Sequence, residues 1–354
     1  MTRLLLLFAF ACAFLFTNSI IAQNQSVPLF DFKQSISVFT AHALMNAAGF
    51  DGEWRKAGMH PLRIEVRKDL LTCLDSAYGA ELHSFYTAHS GGNWSNWASY
   101  VLLTKGPPSF DLDYDPATTA DGKSTELDMS GLSQVLSGFY VKADIPKLWQ
   151  KYQRRFQELN DAFRPHAQKA LDDIVTYCRL DKDYFSHRAS RIHVVFSPLM
   201  SYFTAQNDNV NGELYLILGP QVSEPSAADF YHEALHQVLT PLTSRLDSSA
   251  TSRLADLFVL AKSNGHIGYS HIDEAFVRTM GCVLAGRLFH QPDSTVLANV
   301  ANEYKLGFIL CPAIYEQLKQ YEASHMTFAQ YFPNFIASID VEREKARWQD
   351  KNLK

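Results

Sequence analysis

The chain has 354 residues, with 17 glycines and 14 prolines, and its formal net charge is −5. This length and the lack of low-complexity segments predict a compact chain with one large domain or two closely packed domains. The slight acidic excess, with no basic run and no stripe of aromatic and basic residues, argues against a nucleic-acid partner.

The first 22 residues are typical of a secretory signal peptide. Arg3 supplies a positive charge, an apolar run extends from Leu4 to Phe16, and cleavage is expected after Ala22. The alternative is an uncleaved membrane anchor, but the run is short for a bilayer span and no stop-transfer charges follow it. We therefore expect an exported mature protein, periplasmic or extracellular, without a membrane span.

Helical periodicity dominates residues 23–185, which we predict to be a helical N-terminal region. Its longest helix is expected at 147–178, with a kink at Pro165. The stretch 106–124 has the proline, glycine and aspartate content of a loop. Further helices are predicted at 35–48, 65–78, 94–103 and 130–140.

Two segments rich in β-branched and aliphatic residues follow, RIHVVFS at 191–197 and GELYLILG at 212–219. Because the residues between them are typical of turns, we predict that the two strands form a hairpin with a long connection. The fold class is expected to be α+β and mostly α-helical, with this small sheet between two helical halves. The later helices are predicted at 227–240, 245–263, 271–289, 295–305, 312–322 and 327–345.

The chain's most informative motif is H-E-x-x-H, within SAADFYHEALHQVLTPL at residues 226–242. Ser226 is a suitable N-cap, with Asp229 completing a pattern like a capping box, and Pro241 is expected to end the helix. His232 and His236 then project from one helix face, one turn apart.

That arrangement allows two imidazoles to hold one Zn²⁺ ion. Glu233 follows the first histidine and can take a proton from a water on the zinc as that water attacks a carbonyl. The alternative is a buried helix whose histidines are simply hydrogen-bonded.

A catalytic zinc usually has three protein ligands, so a third must be found. The metzincin pattern is excluded because Leu239 and Leu242 occupy the positions of its glycine and its third histidine. We favour Glu274, since a carboxylate among small and apolar neighbours is costly to bury without a positive partner. The alternative for this carboxylate is an ordinary i,i+4 ion pair with Arg278. The other candidates are Asp247, Asp256, His266, His271 and Asp273, of which Asp273 is also suited to orienting a ligand histidine.

HEALH, followed 38 residues after His236 by the glutamate of HIDEAFVR, resembles the gluzincin group of zinc metallopeptidases. The chain is also similar to exported bacterial proteins of undetermined activity that carry this motif in their second half. The resemblance implies that His232, His236 and Glu274 bind zinc and that Glu233 is the general base. It also implies a zincin-like metallopeptidase region at 186–354.

The chain departs from the group in two ways. The Asn-Glu-x-x-Ser-Asp form of the third-ligand motif is absent, and no residue is clearly placed to stabilise an oxyanion. Tyr304 and Tyr269 are candidates, although most tyrosines are ordinary core or surface residues. The resemblance further implies that strand 213–218 offers an open edge to an extended peptide. A strand that only supports the zinc helix is the alternative.

Four cysteines follow the predicted signal peptide, at widely spaced positions that match no C-x-x-C motif. Disulfides and buried free thiols both remain open for them. They are Cys73, Cys178, Cys282 and Cys311.

We therefore predict an exported zinc metallopeptidase that acts on peptide or protein substrates. One alternative is a non-catalytic exported protein that keeps the fold and binds a peptide or glycan. Another is a zinc hydrolase acting on a non-peptide amide, because zinc polarises any such carbonyl.

Overall fold

The computed structural model of the chain describes residues 29–51, 58–89, 95–113, 129–202, 204–220, 227–261 and 268–352. The predicted signal peptide, most of the predicted loop at 106–124, Ser226 and His266 lie outside these residues. The described part has the predicted α+β, mostly α-helical fold. None of its helices is long and apolar enough to cross a membrane.

The helices before the sheet form most of the N-terminal half. The longest, α6, continues through Pro165. They are α1 (Ile36–Ala47), α2 (Pro61–Cys73), α3 (Ser76–His89), α4 (Ser95–Leu102), α5 (Leu132–Lys142), α6 (Ile145–Cys178) and α7 (Tyr184–Arg188).

The helices after the sheet carry the H-E-x-x-H motif and most of the C-terminal half. They are α8 (Ala227–Thr243), α9 (Ser248–Arg253), α10 (Ala255–Leu260), α11 (Gly268–Leu288), α12 (Asp293–Lys305), α13 (Cys311–Ala323), α14 (Phe328–Ser338) and α15 (Val341–Asn352).

Aspartate caps divide some segments that periodicity alone joined into one helix. The predicted helix at 65–78 is instead the end of α2 and the start of α3, where Asp75 accepts a hydrogen bond from the backbone N–H of Tyr78. In the same way, Asp340 accepts from the backbone N–H of Arg343 and separates α14 from α15. A side-chain oxygen that satisfies a free N–H of the first turn favours a new helix start.

The described residues form one four-stranded sheet in the order β1-β2-β4-β3. β1 (Phe30–Asp31) pairs in parallel with β2 (Arg191–Phe196), and β2 pairs in parallel with β4 (Glu213–Leu218). β3 (Ala205–Val210) pairs antiparallel with β4 and lies at the edge of the sheet.

The predicted hairpin between 191–197 and 212–219 is wrong, since those two strands are parallel neighbours. The hairpin joins β3 to β4 through Asn211 and Gly212, whose φ angles are both positive, at 53° and 78°. A two-residue Asn-Gly turn of this kind matches the twist of antiparallel strands. β3 is not predicted from the sequence because polar residues occupy most of this edge strand. It therefore lacks the apolar pattern of a buried strand.

Helix α8 does not end before Pro241 as predicted but continues to Thr243. A proline inside a helix lacks the N–H that would bond to the carbonyl four residues earlier. Here that carbonyl belongs to Gln237, and the Tyr184 hydroxyl donates to it at 3.0 Å. The freed acceptor is therefore satisfied by a side chain from α7, and the helix can continue.

The sheet lies between two apolar cores. Val194 and Leu216 point into a C-terminal core formed mainly with α8, α11, α13 and α14. Val195 and Ile217 point the other way, into an N-terminal core formed with α1 to α6. Alternate residues of a strand face opposite sides, so one pair of neighbouring strands serves both cores.

Helix α6 also takes part in both cores. Tyr152 and Phe156, in its first half, are buried in the N-terminal core. Phe163 and Ile174, in its second half, are buried in the C-terminal core. Each such apolar side chain contributes roughly 1.5–3 kcal/mol when fully buried. Within the described residues the cysteines are free thiols, with Cys178 and Cys311 buried and Cys73 exposed.

Candidate metal centre

The two histidines of the motif lie on one face of α8. Phe230, Leu235 and Leu239 of the same helix are buried in the C-terminal core, which fixes the orientation of the histidine face. Nε2 of His232 lies 3.2 Å from Nε2 of His236.

Glu274 comes to these nitrogens from α11, which packs along α8. One carboxylate oxygen lies 3.7 Å from Nε2 of His232, and the other lies 3.6 Å from Nε2 of His236. The three side chains offer ligand atoms that all lie within 4.8 Å of one another. They form a group that can hold a metal ion, which we call the metal cluster (His232, His236 and Glu274).

The donor set of the metal cluster is suited to a transition metal. Two imidazole nitrogens and one carboxylate form a three-ligand set that leaves a coordination position open in catalytic zinc sites. The side chains of His232, His236 and Glu274 are 18%, 14% and 15% exposed, so the cluster is recessed but reachable from solvent.

Asp273 orients the second histidine. Its Oδ2 lies 2.6 Å from Nδ1 of His236, and it also accepts hydrogen bonds from the hydroxyls of Thr243 and Thr240, at 2.9 and 3.3 Å. In this contact the carboxylate accepts, so Nδ1 of His236 carries a hydrogen, and in the neutral ring the lone pair of Nε2 faces the metal cluster.

Charges around His236 favour its protonated form in the absence of a metal. Burial alone would lower the pKa of His236. The hydrogen bond to Asp273 and the negative charges of Glu233, Asp273 and Glu274 outweigh this effect, so the pKa is raised. An excess of negative charge of this kind also favours a bound cation.

Arg278 also forms an ion pair with the carboxylate of Glu274. Nε of Arg278 donates to the carboxylate of Glu274 at 3.0 Å, and Nη1 donates to Glu303 of α12 at 2.9 Å. The guanidinium also lies 4.0 Å from the centre of the Phe308 ring. The two interpretations of Glu274 are thus compatible, because the carboxylate makes the i,i+4 ion pair while facing both histidines.

Glu233 lies next to the metal cluster and is 4% exposed. Its Oε1 is 3.9 Å from Nε2 of His232, and its Oε2 accepts a hydrogen bond from Nδ2 of Asn207 at 2.5 Å. Burial raises the pKa of Glu233 to about 7, although His236 and Asn207 act in the opposite direction. A carboxylate with such a pKa is able both to take and to return a proton near neutral pH.

The other candidates for the third ligand have different roles. Asp247 caps α9 by accepting from the backbone N–H of Ala250, and Asp256 pairs with Lys345. His271 is buried, with its ring 5.2 Å from that of Phe258. Within the described residues, none of them belongs to the metal cluster.

The two tyrosines considered for an oxyanion lie in ordinary surroundings. Tyr269 is 59% exposed at the start of α11. Tyr304 is buried, with its ring 5.1 Å from that of Trp348, and burial raises its pKa to about 12.

The motif helix α8 packs against both β3 and β4 (213–218), but only β3 of these two strands lies at an edge of the sheet. β4 is paired on both sides, so the prediction that it offers an open edge is wrong. β3 is the edge strand, and its Asn207 contacts both Glu233 and Gln237 of α8. Asn207 is not among the site residues predicted from the sequence, although the Asn-Gly turn that follows β3 is a signal for this strand.

Comparison with known proteins gives no match to a family model, to a curated protein or to a solved structure.

Proposed function

We propose that this protein is an exported zinc-dependent peptidase whose metal site is formed by His232, His236 and Glu274. The observation that carries the proposal is the approach of three ligand atoms, from two separate helices, to within 4.8 Å of one another. Their chemistry fits zinc, which when bound supplies an acidified water and polarises a carbonyl group.

Glu233 acts in this proposal as the general base. Its Oε1 is on the side of the metal cluster, at 3.9 Å from Nε2 of His232. It takes the proton of the attacking water and returns it to the amine that leaves when the C–N bond breaks. Its burial supports this role, because it raises the pKa of Glu233 to about 7.

An extended peptide is the substrate that the surroundings of the site favour. Among the described residues, β3 is paired with β4 on one side only, and it lies beside α8. The free edge of such a strand offers backbone N–H and C=O groups that an extended peptide can pair with. Export follows in this proposal from the predicted signal peptide at residues 1–22.

Elemental analysis tests the metal site first. We expect about one zinc per chain in the wild type and a loss of most of it in His232→Ala, because a three-ligand site loses one donor. His325→Ala is the control, since His325 is an exposed histidine outside the metal cluster. Negligible zinc in both the wild type and His232→Ala contradicts the proposal.

Hydrolysis of a mixed peptide library tests the activity. Glu233→Gln should keep the zinc and lose turnover, since an amide cannot act as a base. Zinc binding without any wild-type hydrolysis of peptides would favour the non-catalytic binding protein instead. Hydrolysis restricted to non-peptide amides would favour the second alternative.

A further inference from the structure

Asn207 connects the edge strand of the sheet to the metal centre. Its neighbours along β3, Gln206 and Asp208, point to the opposite face of the sheet, where Asp208 accepts a hydrogen bond from Ser99 of α4. Asn207 points towards α8, as expected from the alternation of side chains along a strand. A single residue of β3 thus places an amide group against Glu233.

The two oxygens of Glu233 have different surroundings. Oε2 accepts the hydrogen bond from Asn207, at 2.5 Å. Oε1 is directed to the metal cluster, at 3.9 Å from Nε2 of His232. Rotation of the carboxylate away from this orientation would leave a buried acceptor without its donor, which is costly. The amide of Asn207 therefore fixes the orientation of the carboxylate, with one oxygen bound to Asn207 and the other facing the cluster.

The orientation of the amide is fixed in turn by Gln237. Nε2 of Gln237 donates to Oδ1 of Asn207 at 3.3 Å. The carboxylate of Glu233 accepts a hydrogen bond, and the amide nitrogen of Gln237 donates one. Both contacts therefore place Nδ2 of Asn207 towards Glu233 and Oδ1 towards Gln237. Gln237 is four residues after Glu233, on the same face of α8.

We infer that Asn207 is a positioning residue for the general base: it holds Oε2 of Glu233 so that Oε1 faces the metal cluster. This inference rests on the proposed function, because it assigns the role of base to Glu233. Asn207 takes no part in proton transfer itself and acts through the orientation of the Glu233 carboxylate.

Two substitutions of Asn207 test this role. Asn207→Leu removes all the polar atoms of the side chain, and Asn207→Asp keeps its shape but places a second carboxyl group against Glu233. Asn334→Leu is the control, since Asn334 is an exposed asparagine of α14, outside β3 and the metal cluster. Zinc content, kcat and KM are measured for each on a peptide that the wild type cleaves.

We expect both Asn207 variants to keep their zinc and to lose kcat by about 10- to 100-fold, with little change in KM, because misorientation of a catalytic group acts on the chemical step. Asn334→Leu should have the wild-type kcat. The inference is overturned by an unchanged kcat in Asn207→Leu, by a loss confined to KM, or by a parallel loss of zinc.

Crystal structures of the zinc-loaded wild type and Asn207→Leu give a second readout that does not depend on activity. We expect the Glu233 carboxylate to leave its wild-type orientation in the variant. The same orientation in both structures overturns the inference. If the wild type binds zinc but hydrolyses nothing, the proposed function fails, and this structural comparison still decides the positioning role.

Discussion

Oδ2 of Asp273 lies 2.6 Å from Nδ1 of His236, and this contact directs the other ring nitrogen of His236 to the metal cluster. Asp273 and Glu274 are consecutive residues of α11. One helix therefore provides both a member of the metal cluster and the carboxylate that orients a histidine of the cluster on the neighbouring helix.

Removal of this carboxylate should weaken metal binding. We expect Asp273→Ala to raise the dissociation constant for zinc by about 10- to 100-fold, because the ring of His236 loses the acceptor that fixes its tautomer. Competition with a chromophoric chelator measures the constant. Asp256→Ala is the control, because Asp256 is an exposed carboxylate paired with Lys345. This variant should bind zinc as the wild type does.

Arg278 should matter more to the metal-free protein than to the zinc-bound protein. Its substitution by Leu removes the positive partner of Glu274 and Glu303, which are 15% and 17% exposed. Without zinc, we expect the free energy of unfolding to fall by about 3 kcal/mol, because removing one partner of a buried ion pair leaves the other charge uncompensated. Zinc should recover part of this loss, because it neutralises Glu274.

Urea unfolding with and without zinc checks this expectation. Arg154→Leu is the control, because its i,i+4 pair with Glu158 is exposed and should contribute little. An equal loss for Arg278→Leu in both conditions would contradict the idea that the arginine and the metal share one carboxylate.

The hydrogen bond from Tyr184 should depend on the proline that α8 contains. Tyr184→Phe leaves the carbonyl of Gln237 without its donor, and we expect a loss of about 1 kcal/mol in the free energy of unfolding. In a Pro241→Ala background the same substitution should cost less, since an alanine at this position would supply the missing backbone N–H. A double-mutant cycle measures the difference, and equal costs in both backgrounds would refute the coupling.

A buried histidine in the N-terminal core should make stability depend on pH. Burial and then the nearby Arg63 lower the pKa of His42 from 6.5 to about 3. Between these values the unfolded chain binds more protons than the folded protein, so stability is lost as the pH falls through this window. The slope contributed by this one group is at most about 1.4 kcal/mol per pH unit.

Urea unfolding of the wild type and of His42→Gln between pH 7 and pH 4 measures this contribution. We expect the wild type to be the more stable at pH 7, since Nδ1 of His42 makes a buried 2.7 Å contact with the hydroxyl of Ser197. That advantage should shrink with acidification. A constant difference across the range would mean that His42 does not titrate on unfolding.

The part of the site that could be predicted from sequence is the part encoded locally. His232, Glu233 and His236 belong to one helix, and the helical period alone places both histidines on one face. Glu274 required a physical argument about the cost of a buried carboxylate, because nothing in its spacing fixes how α11 crosses α8.

Contacts between distant segments account for what the sequence did not reveal. The end of α8 depends on a hydroxyl from α7, so Pro241 alone could not locate it. The role of Asn207 depends on strand order, since β3 is an edge strand only because β4 inserts between it and β2. Local propensities carry no information on either point.

The two-sided burial of the sheet has a consequence for any attempt to shorten the protein. Val195 of β2 and Ile217 of β4 face away from the C-terminal core, and helices from the first half of the chain cover them. A fragment starting at residue 186 would expose this apolar face of the sheet to water. It would also lose β1 and all of α6. The first half of the chain thus covers the face of the sheet opposite α8, and its removal should yield an aggregating fragment rather than a minimal enzyme.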